Sequence, residues 1–413
     1  MSDPHFSHET WLSKLRDHLE TERYAEVTAY QCIAAARHFL AYLEKQRVEV
    51  GAAQPEDIER YLHQARQRYC RLNGHLPNYE GWRCSHTSGI HMLLRLAQGQ
   101  WPPALRAITP AAMQQQELCE EYSRWKAGVY GLSQETLSQR YAEAHRFLRW
   151  LSERAIREDL SLLTVVDVDA YMKDRAGLLR RPSLKKAATN TRSFLRWLYV
   201  TGRTTRDLSM TVIAPSLYRF EGIPSALRAE DVKKVLTLTE QDSTPKGLRD
   251  YAILMLISTY GVRAGEIRAL RLEDVDWRKE VIRIHHGKTG ATSYLPLRPE
   301  VGEAMLQYLE KSRPKTPLRE MFIRSRAPYR PLKRLYMLVR RRLEVAGVTT
   351  TGKRGPHAFR HARAVSMLRA AVPVKEIGDL LGHRAADSTL VYLKLATEDL
   401  RAVAMEIPTE VKA

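Results

Sequence analysis

A mainly helical chain with one small antiparallel β-sheet in its last part, an α+β class, is what this sequence predicts, and three observations predict it. Apolar residues recur at helical spacing from Thr10 to about Gln67 and again from about Glu117 to Gly202, with Glu, Arg and Lys between them. A single stretch, E-V-I-R-I-H-H-G-K-T-G-A-T-S-Y-L-P-L from Glu280, reads as two β-branched runs split by a glycine-containing turn, hence a hairpin. The length, 413 residues, exceeds what one ordinary core holds and predicts two or three domains.

Taken in order, the first helical stretch carries Ala35, Phe39, Leu40 and Leu43 on one face. The second repeats its plan. Thr28, Phe39, Leu40 and Leu43 correspond to Thr136, Phe147, Leu148 and Leu151 at one constant offset, and E-D-I-E-R-Y-L near Asp57 parallels V-D-V-D-A-Y-M near Asp167. M-L-L-R-L near Leu94 likewise parallels S-F-L-R-W-L near Leu195. Two successive helical domains of one kind follow, by duplication or by convergence of amphipathic design. Pro102, Pro103 and Pro110 mark one boundary and Pro215 to Pro224 the better linker, giving an N-terminal helical domain 1–110, a second helical domain 111–215 and a last domain 216–413. In that last domain Leu227 to Leu238 starts as a helix with Glu230 and Asp231 in its first turn, and Arg249 to Tyr260 forms an apolar helix stopped by Gly261. The hairpin then carries Lys288 near its tip, and Met321 to Ser325 reads as a further short strand. The remainder is helical.

Charge narrows the partner. The chain has 66 Lys+Arg against 47 Asp+Glu, a formal charge of +19, so a polyanion is expected. A membrane is disfavoured by the mean hydropathy of −0.41 and by the lack of any apolar run near the 18 or so residues of a spanning helix. Nucleic acid remains. The start, M-S-D-P-H-F-S-H-E-T, shows neither a basic nor an apolar leader region, so cytoplasmic residence, beside the nucleoid, is expected. Cys32, Cys70, Cys84 and Cys119 form no disulfide framework. Cys70, His75, Cys84 and His86 are zinc-type ligands within one short stretch, but their spacing fits no common finger, and plain structural thiols are the preferred reading.

Several local motifs suggest chemistry. Gly287-Lys288-Thr289 resembles the end of a phosphate-cradling loop, yet Ile282 stands where that loop needs glycine and a strand follows, so no nucleotide cofactor is expected. His357-Ala358-Phe359-Arg360-His361 spaces two histidines as in metalloproteases, but Ala358 replaces the base glutamate and Arg360 would repel a divalent cation. His357 and Arg360 at i, i+3 instead suit one phosphate at a helix start after Pro356, with His361 in a packing or supporting role. Arg263 follows the end of a very apolar helix and therefore needs a charged partner or ligand; Glu266 is placed to pair with a neighbouring base and orient it. His383 and Tyr392 are unremarkable singly. Together, two arginines, a lysine and two histidines around a phenol are a set able to break a phosphodiester without a metal or another cofactor.

In order and spacing, Arg263, Lys288, His357 with Arg360, His383 in L-G-H, and Tyr392 nine positions later resemble the catalytic pattern of the tyrosine recombinase (integrase) family, and Glu266 matches as well. The resemblance runs from about Pro224 to Ala404. It implies that Tyr392 attacks the scissile phosphate to give a 3′-phosphotyrosyl link and a free 5′-hydroxyl. Arg263 and Arg360 would hold the non-bridging oxygens, His383 would add a hydrogen bond, Lys288 would protonate the departing oxygen, and His357 would assist proton movement. The resemblance also implies a core-binding module, matched by residues 117–202, with Arg180, Arg181, Lys185, Lys186, Arg192 and Arg196 as phosphate contacts. It implies double-stranded DNA with specific sites, a tetrameric synapse, and other recombinases or DNA-bending proteins as partners. Leu400, Val403, Ala404 and Ile407 would lie on an exchange helix. The expected task is integration or excision of a mobile element; the competing readings are an accessory DNA-binding subunit and a type IB topoisomerase-like relaxing enzyme.

Overall fold

The computed structural model describes residues 4–103, 109–155, 159–217, 226–287, 290–350 and 354–382. Its contacts divide the chain into two compact units, one made of Met1–Pro102 with Gly222–Ala413 and the other of Pro103–Glu221.

Within the first unit, α1 (Pro4–Thr21), α2 (Glu26–Lys45), α3 (Pro55–Asn73) and α4 (Tyr79–Gln98) enclose a core of their own around Leu15, Phe39, Leu40, Ile58 and Leu93. The second unit holds α5 (Pro110–Tyr130), α6 (Gln134–Trp150), α7 (Val165–Leu178) and α8 (Arg181–Val200), around Tyr122, Phe147, Tyr171, Phe194 and Leu198. The two sets of four helices repeat each other in detail. Helices α3 and α7 both start where an aspartate accepts the backbone N–H three residues earlier, Asp57 from Gln54 at 2.7 Å and Asp167 from Thr164 at 2.9 Å. Phe39 meets Tyr61 edge-on at 5.4 Å, and Phe147 meets Tyr171 edge-on at 4.9 Å. These rings join the second helix to the third in each module, as the sequence offset implies.

The modules differ in what surrounds that ring pair. In the second, Glu143 is 5 % exposed and accepts hydrogen bonds from Tyr171 Oη at 2.7 Å, Arg175 Nε at 3.1 Å and Arg146 Nη1 at 2.5 Å. At the corresponding offsets the first module has Ala35, Ala65 and His38. Its groove between α2 and α3 is left as a cavity of about 460 Å³ lined by residues that include Tyr61 and Ala65.

The rest of the first unit contains α9 (Ala229–Glu240), α10 (Pro245–Tyr260), α11 (Ala264–Ala269), a three-stranded sheet, α12 (Pro299–Lys311), α13 (Tyr336–Val345), α14 (Pro356–Arg369) and α15 (Val374–Leu380). Helix α10 starts where Thr244 Oγ1 accepts the Gly247 N–H at 3.0 Å, with Pro245 in the first turn. Ala252, Ile253, Leu254, Leu256 and Ile257 are buried on several faces, which makes this helix the axis of the core. Strands β1 (Val275–Asp276), β2 (Val281–His285) and β3 (Thr292–Pro296) pair antiparallel in that order, with Ile282 opposite Leu295 and His285 opposite Thr292. The hairpin is therefore where the sequence puts it, extended by one short strand. The strand expected at Met321–Ser325 is not a strand. Its backbone makes scattered pairings instead of a continuous ladder: the Met321 N–H donates to the Leu270 carbonyl at 2.8 Å, Ile323 bridges Pro331, the Arg324 N–H donates to the Arg330 carbonyl at 2.9 Å, and Tyr308 Oη takes the Ile323 N–H at 3.3 Å.

Candidate active site

Four chain segments meet at the C-terminal end of α10. Gly261 terminates the helix in the left-handed region, φ 67°, and a Cβ there would lie 2.6 Å from Leu381 Cδ2. Glycine thus permits both the turn and the close approach of the segment after α15. Arg263 follows as the N-cap of α11, and Glu266 folds back on it, accepting the Arg263 N–H at 2.7 Å and its Nη1–H at 2.9 Å. The guanidinium also donates through Nη2 to the Gly382 carbonyl at 2.8 Å. Arg360, from α14, is 4 % exposed and donates to the carbonyls of Gly261 and Leu381, each at 2.6 Å. Two arginines from distant segments are therefore hydrogen-bonded to adjacent carbonyls, Leu381 and Gly382. Each guanidinium has five N–H donors, and these contacts fix its plane.

The sequence reading missed His286. It is 3 % exposed, bonds Glu266 Oε1 through Nδ1 at 2.7 Å and Ser293 Oγ through Nε2 at 2.8 Å, and so ties the hairpin to α11. Gly382, φ 62°, lies against its ring, where a Cβ would come within 2.6 Å of Cε1. A signal existed, since Ile282 and Ile284 alternate inward on β2 and the next position of that parity is His286. Burial would push the Glu266 carboxyl up, but the hydrogen bonds from His286 and from the Arg263 backbone and side chain hold it below its ordinary value of 4.5. The cluster thus gathers two guanidiniums around one carboxylate at a partly buried place.

Of the residues singled out from sequence, the structure brings Arg263, Glu266 and Arg360 together. His357 is exposed at the start of α14, three residues before the buried Arg360, and its ring lies 6.2 Å from that of His361, which is partly buried. Lys288, His383 and Tyr392, as well as the tail residues Leu400, Val403, Ala404 and Ile407, fall outside the described residues. On α8 the six basic residues divide. Arg181 donates to the Ser216 carbonyl at 2.6 Å, Arg192 to the Val212 carbonyl at 2.7 Å, and Arg196 pairs with Asp207. Arg180, Lys185 and Lys186 are exposed. Cys70, His75, Cys84 and His86 do not converge: among the described residues no group of three or more His, Cys, Asp or Glu side chains is placed to hold a metal ion. Among those residues, too, no helix is long and apolar enough to cross a membrane.

Fold and site together define a mainly helical protein with one small sheet, in which two arginines from distant segments are pre-oriented on adjacent backbone carbonyls. Comparison with known proteins gives the family. The model of the phage integrase family matches residues 225–399. A Sinorhizobium fredii protein assigned as an integrase/recombinase, y4gC, is 60% identical over 192 residues, which is 46% of this chain and all of that one. A second, y4rF, is 31% identical over 341 residues, covering 81% of this chain and 80% of the relative. Tyrosine recombinase XerC of Roseiflexus is 26% identical over 66% of this chain and 87% of its own length. Among solved structures, XerH bound to a palindromic difH substrate shares the fold at TM-score 0.55 and 15% identity, over 71% of this chain and 85% of that one. A lambda integrase dimer bound to a core site does so at TM-score 0.53 and 17% identity, over 83% and 93%. This chain belongs to the phage integrase family, the tyrosine recombinases.

Proposed function

We propose that this chain cuts and rejoins double-stranded DNA at specific sites, with Tyr392 as nucleophile and a 3′-phosphotyrosyl intermediate. The observation that supports it most is the paired setting of Arg263 and Arg360, joined through the Leu381–Gly382 carbonyls and braced by Glu266 and His286. Phosphoryl transfer spreads negative charge over the non-bridging oxygens, and guanidiniums already fixed in place stabilise that charge without reorganising as it forms. Lys288 protonates the 5′-oxygen as it leaves, His383 donates to the phosphate, and His357, exposed at the helix start, moves protons near the phenol. The covalent link conserves the energy of the broken bond, so rejoining needs no nucleotide hydrolysis.

Division of labour follows the domains. Residues 111–215 hold the DNA core, chiefly through Arg180, Lys185 and Lys186, whose side chains are exposed. Arg181, Arg192 and Arg196 reach phosphate by exchanging their internal partners. The first module adds a further DNA contact, and the segment after Thr397 docks on a neighbouring protomer in a tetrameric synapse. Work on chromosomal or mobile-element DNA places the protein in the cytoplasm. Removing the residues after Thr397 is expected to leave DNA binding intact and abolish assembly on paired sites; unaffected assembly contradicts that role. Requirement for two sites separates strand exchange from relaxation: a supercoiled circle with one site should be left unrelaxed, and efficient relaxation of it would favour the topoisomerase-like reading.

A further inference from the structure

The other end of α10 carries a second cationic site. A cavity of about 560 Å³ opens beside the first turn of α10, lined by Lys246, Arg249, Arg324, Arg326 and Arg341 with no acidic or aromatic residue in its wall. Arg249 is 6 % exposed and is neutralised by Asp250, whose other oxygen receives Arg342 Nε at 3.1 Å; Arg342 in turn reaches Asp242 at 2.7 Å. These two arginines and two aspartates balance. Lys246, Arg324, Arg326 and Arg341 are left over, and among the described residues no side-chain hydrogen bond or ion pair engages any of them. Elsewhere in the same domain Arg263, Arg283 and Arg340 each have a carboxylate within 3 Å. The Lys246 ammonium is pushed below its ordinary value first by burial and then by Arg341, with Asp250 only partly opposing the crowded positive charge.

We propose that this cavity binds phosphates of the DNA backbone outside the cleavage site held at the Arg263–Arg360 cluster. The 16 residues of α10 separate the two sites by about 24 Å, so the phosphates bound here lie several nucleotides or more from the one held there. Cations on both α10 and the segment at residues 324–326 suit successive phosphates, whereas a free nucleotide would want a ring to stack on, and the wall offers none. This rests on the recombinase reading and extends its DNA contact to the duplex flanking the cleavage site.

The test is the salt dependence of binding to a long duplex by the K246Q/R326Q/R341Q variant, with R326Q/R341Q as a milder companion that changes exposed residues only. The account expects the log K against log salt slope to fall by about one for each cation removed, about three for the triple variant. On a short nicked duplex covering only the cleavage site, both variants should form as much covalent adduct as the parent. An unchanged slope in both variants overturns the proposal. Thermal stabilisation by inorganic phosphate that disappears in the variants while the slope stays unchanged overturns the DNA source in favour of a small anion. Absence of adduct in the parent contradicts the recombinase reading, yet leaves the slope measurement to decide on the cavity.

Discussion

The two ends of α10 hold positive charge in opposite ways. At the Gly261 end, Arg263 and Arg360 are sunk into the fold, hydrogen-bonded to a carboxylate and to backbone carbonyls, and their orientation is set before any ligand arrives. At the Thr244 end, Lys246, Arg324, Arg326 and Arg341 face a cavity with no such partners and keep their side-chain freedom. Fixed guanidiniums suit stabilising charge that develops during a reaction, because little reorganises at that moment. Loose ones suit attraction, which is long-ranged, tolerant of geometry and screened by salt. The same residue type therefore serves chemistry or affinity according to what its nitrogens already touch.

The largest expected effect comes from removing the brace. Glu266→Ala leaves Arg263 and His286 without their carboxylate and should destabilise this domain by about 3 to 5 kcal/mol, read by denaturant unfolding. Its pH signature has a definite sign. The folded carboxyl is held below 4.5, so its contribution is fully present above that value and is lost as pH falls through the lowered one. Glu266→Gln should flatten the acid limb of the stability profile; an unchanged limb would show that Glu266 carries no such linkage.

Next is Arg263→Lys, which keeps the charge and discards the fork. Covalent adduct formation should slow by about a hundred- to a thousandfold while DNA affinity changes little. A loss confined to affinity would mean that the Gly261 end works by attraction after all.

A third kind of cation sharpens the contrast. Lys126 on α5 is 6 % exposed with no carboxylate beside it, packed instead on Tyr130 at 4.4 Å and Trp125 at 4.8 Å. Burial and the nearby Arg140 push it down to about 8. Between about 8 and its ordinary 10.5 the unfolded chain holds the proton and the folded one does not, so stability rises with pH across that window. Lys126→Leu should stabilise the second module by about 1 to 3 kcal/mol at pH 7, with the gain shrinking above pH 8 in thermal unfolding. The smallest effect belongs to the cavity at the Thr244 end, where one neutralised cation should alter only the salt slope, by about one.

Much of this was legible before any coordinates. The constant offset between Phe39 and Phe147 found the repeated module because core positions keep their periodicity, and the Gly261 stop after Tyr260 placed Arg263 at a buried helix end. What sequence could not give was carried by backbone and by distance along the chain. The carbonyls of Leu381 and Gly382, which join the two arginines, have no side-chain signature, and His286 meets Glu266 across 20 residues. The cavity at the Thr244 end escaped for the same reason, since Lys246 and Arg341 lie far apart along the chain. The strand expected at Met321 failed because a short apolar run, Met321-Phe322-Ile323, also fits a buried segment whose backbone pairs only at scattered points with two others.

The most direct measurement is incubation of the protein with nicked suicide duplexes drawn from DNA flanking its own gene, followed by denaturing electrophoresis, with Tyr392→Phe alongside. A denaturation-resistant protein–DNA band that vanishes in the Phe variant is the predicted result. Binding to the same DNA with no such band, with partner recombinases supplied, would contradict the account and leave the chain an accessory DNA-binding subunit.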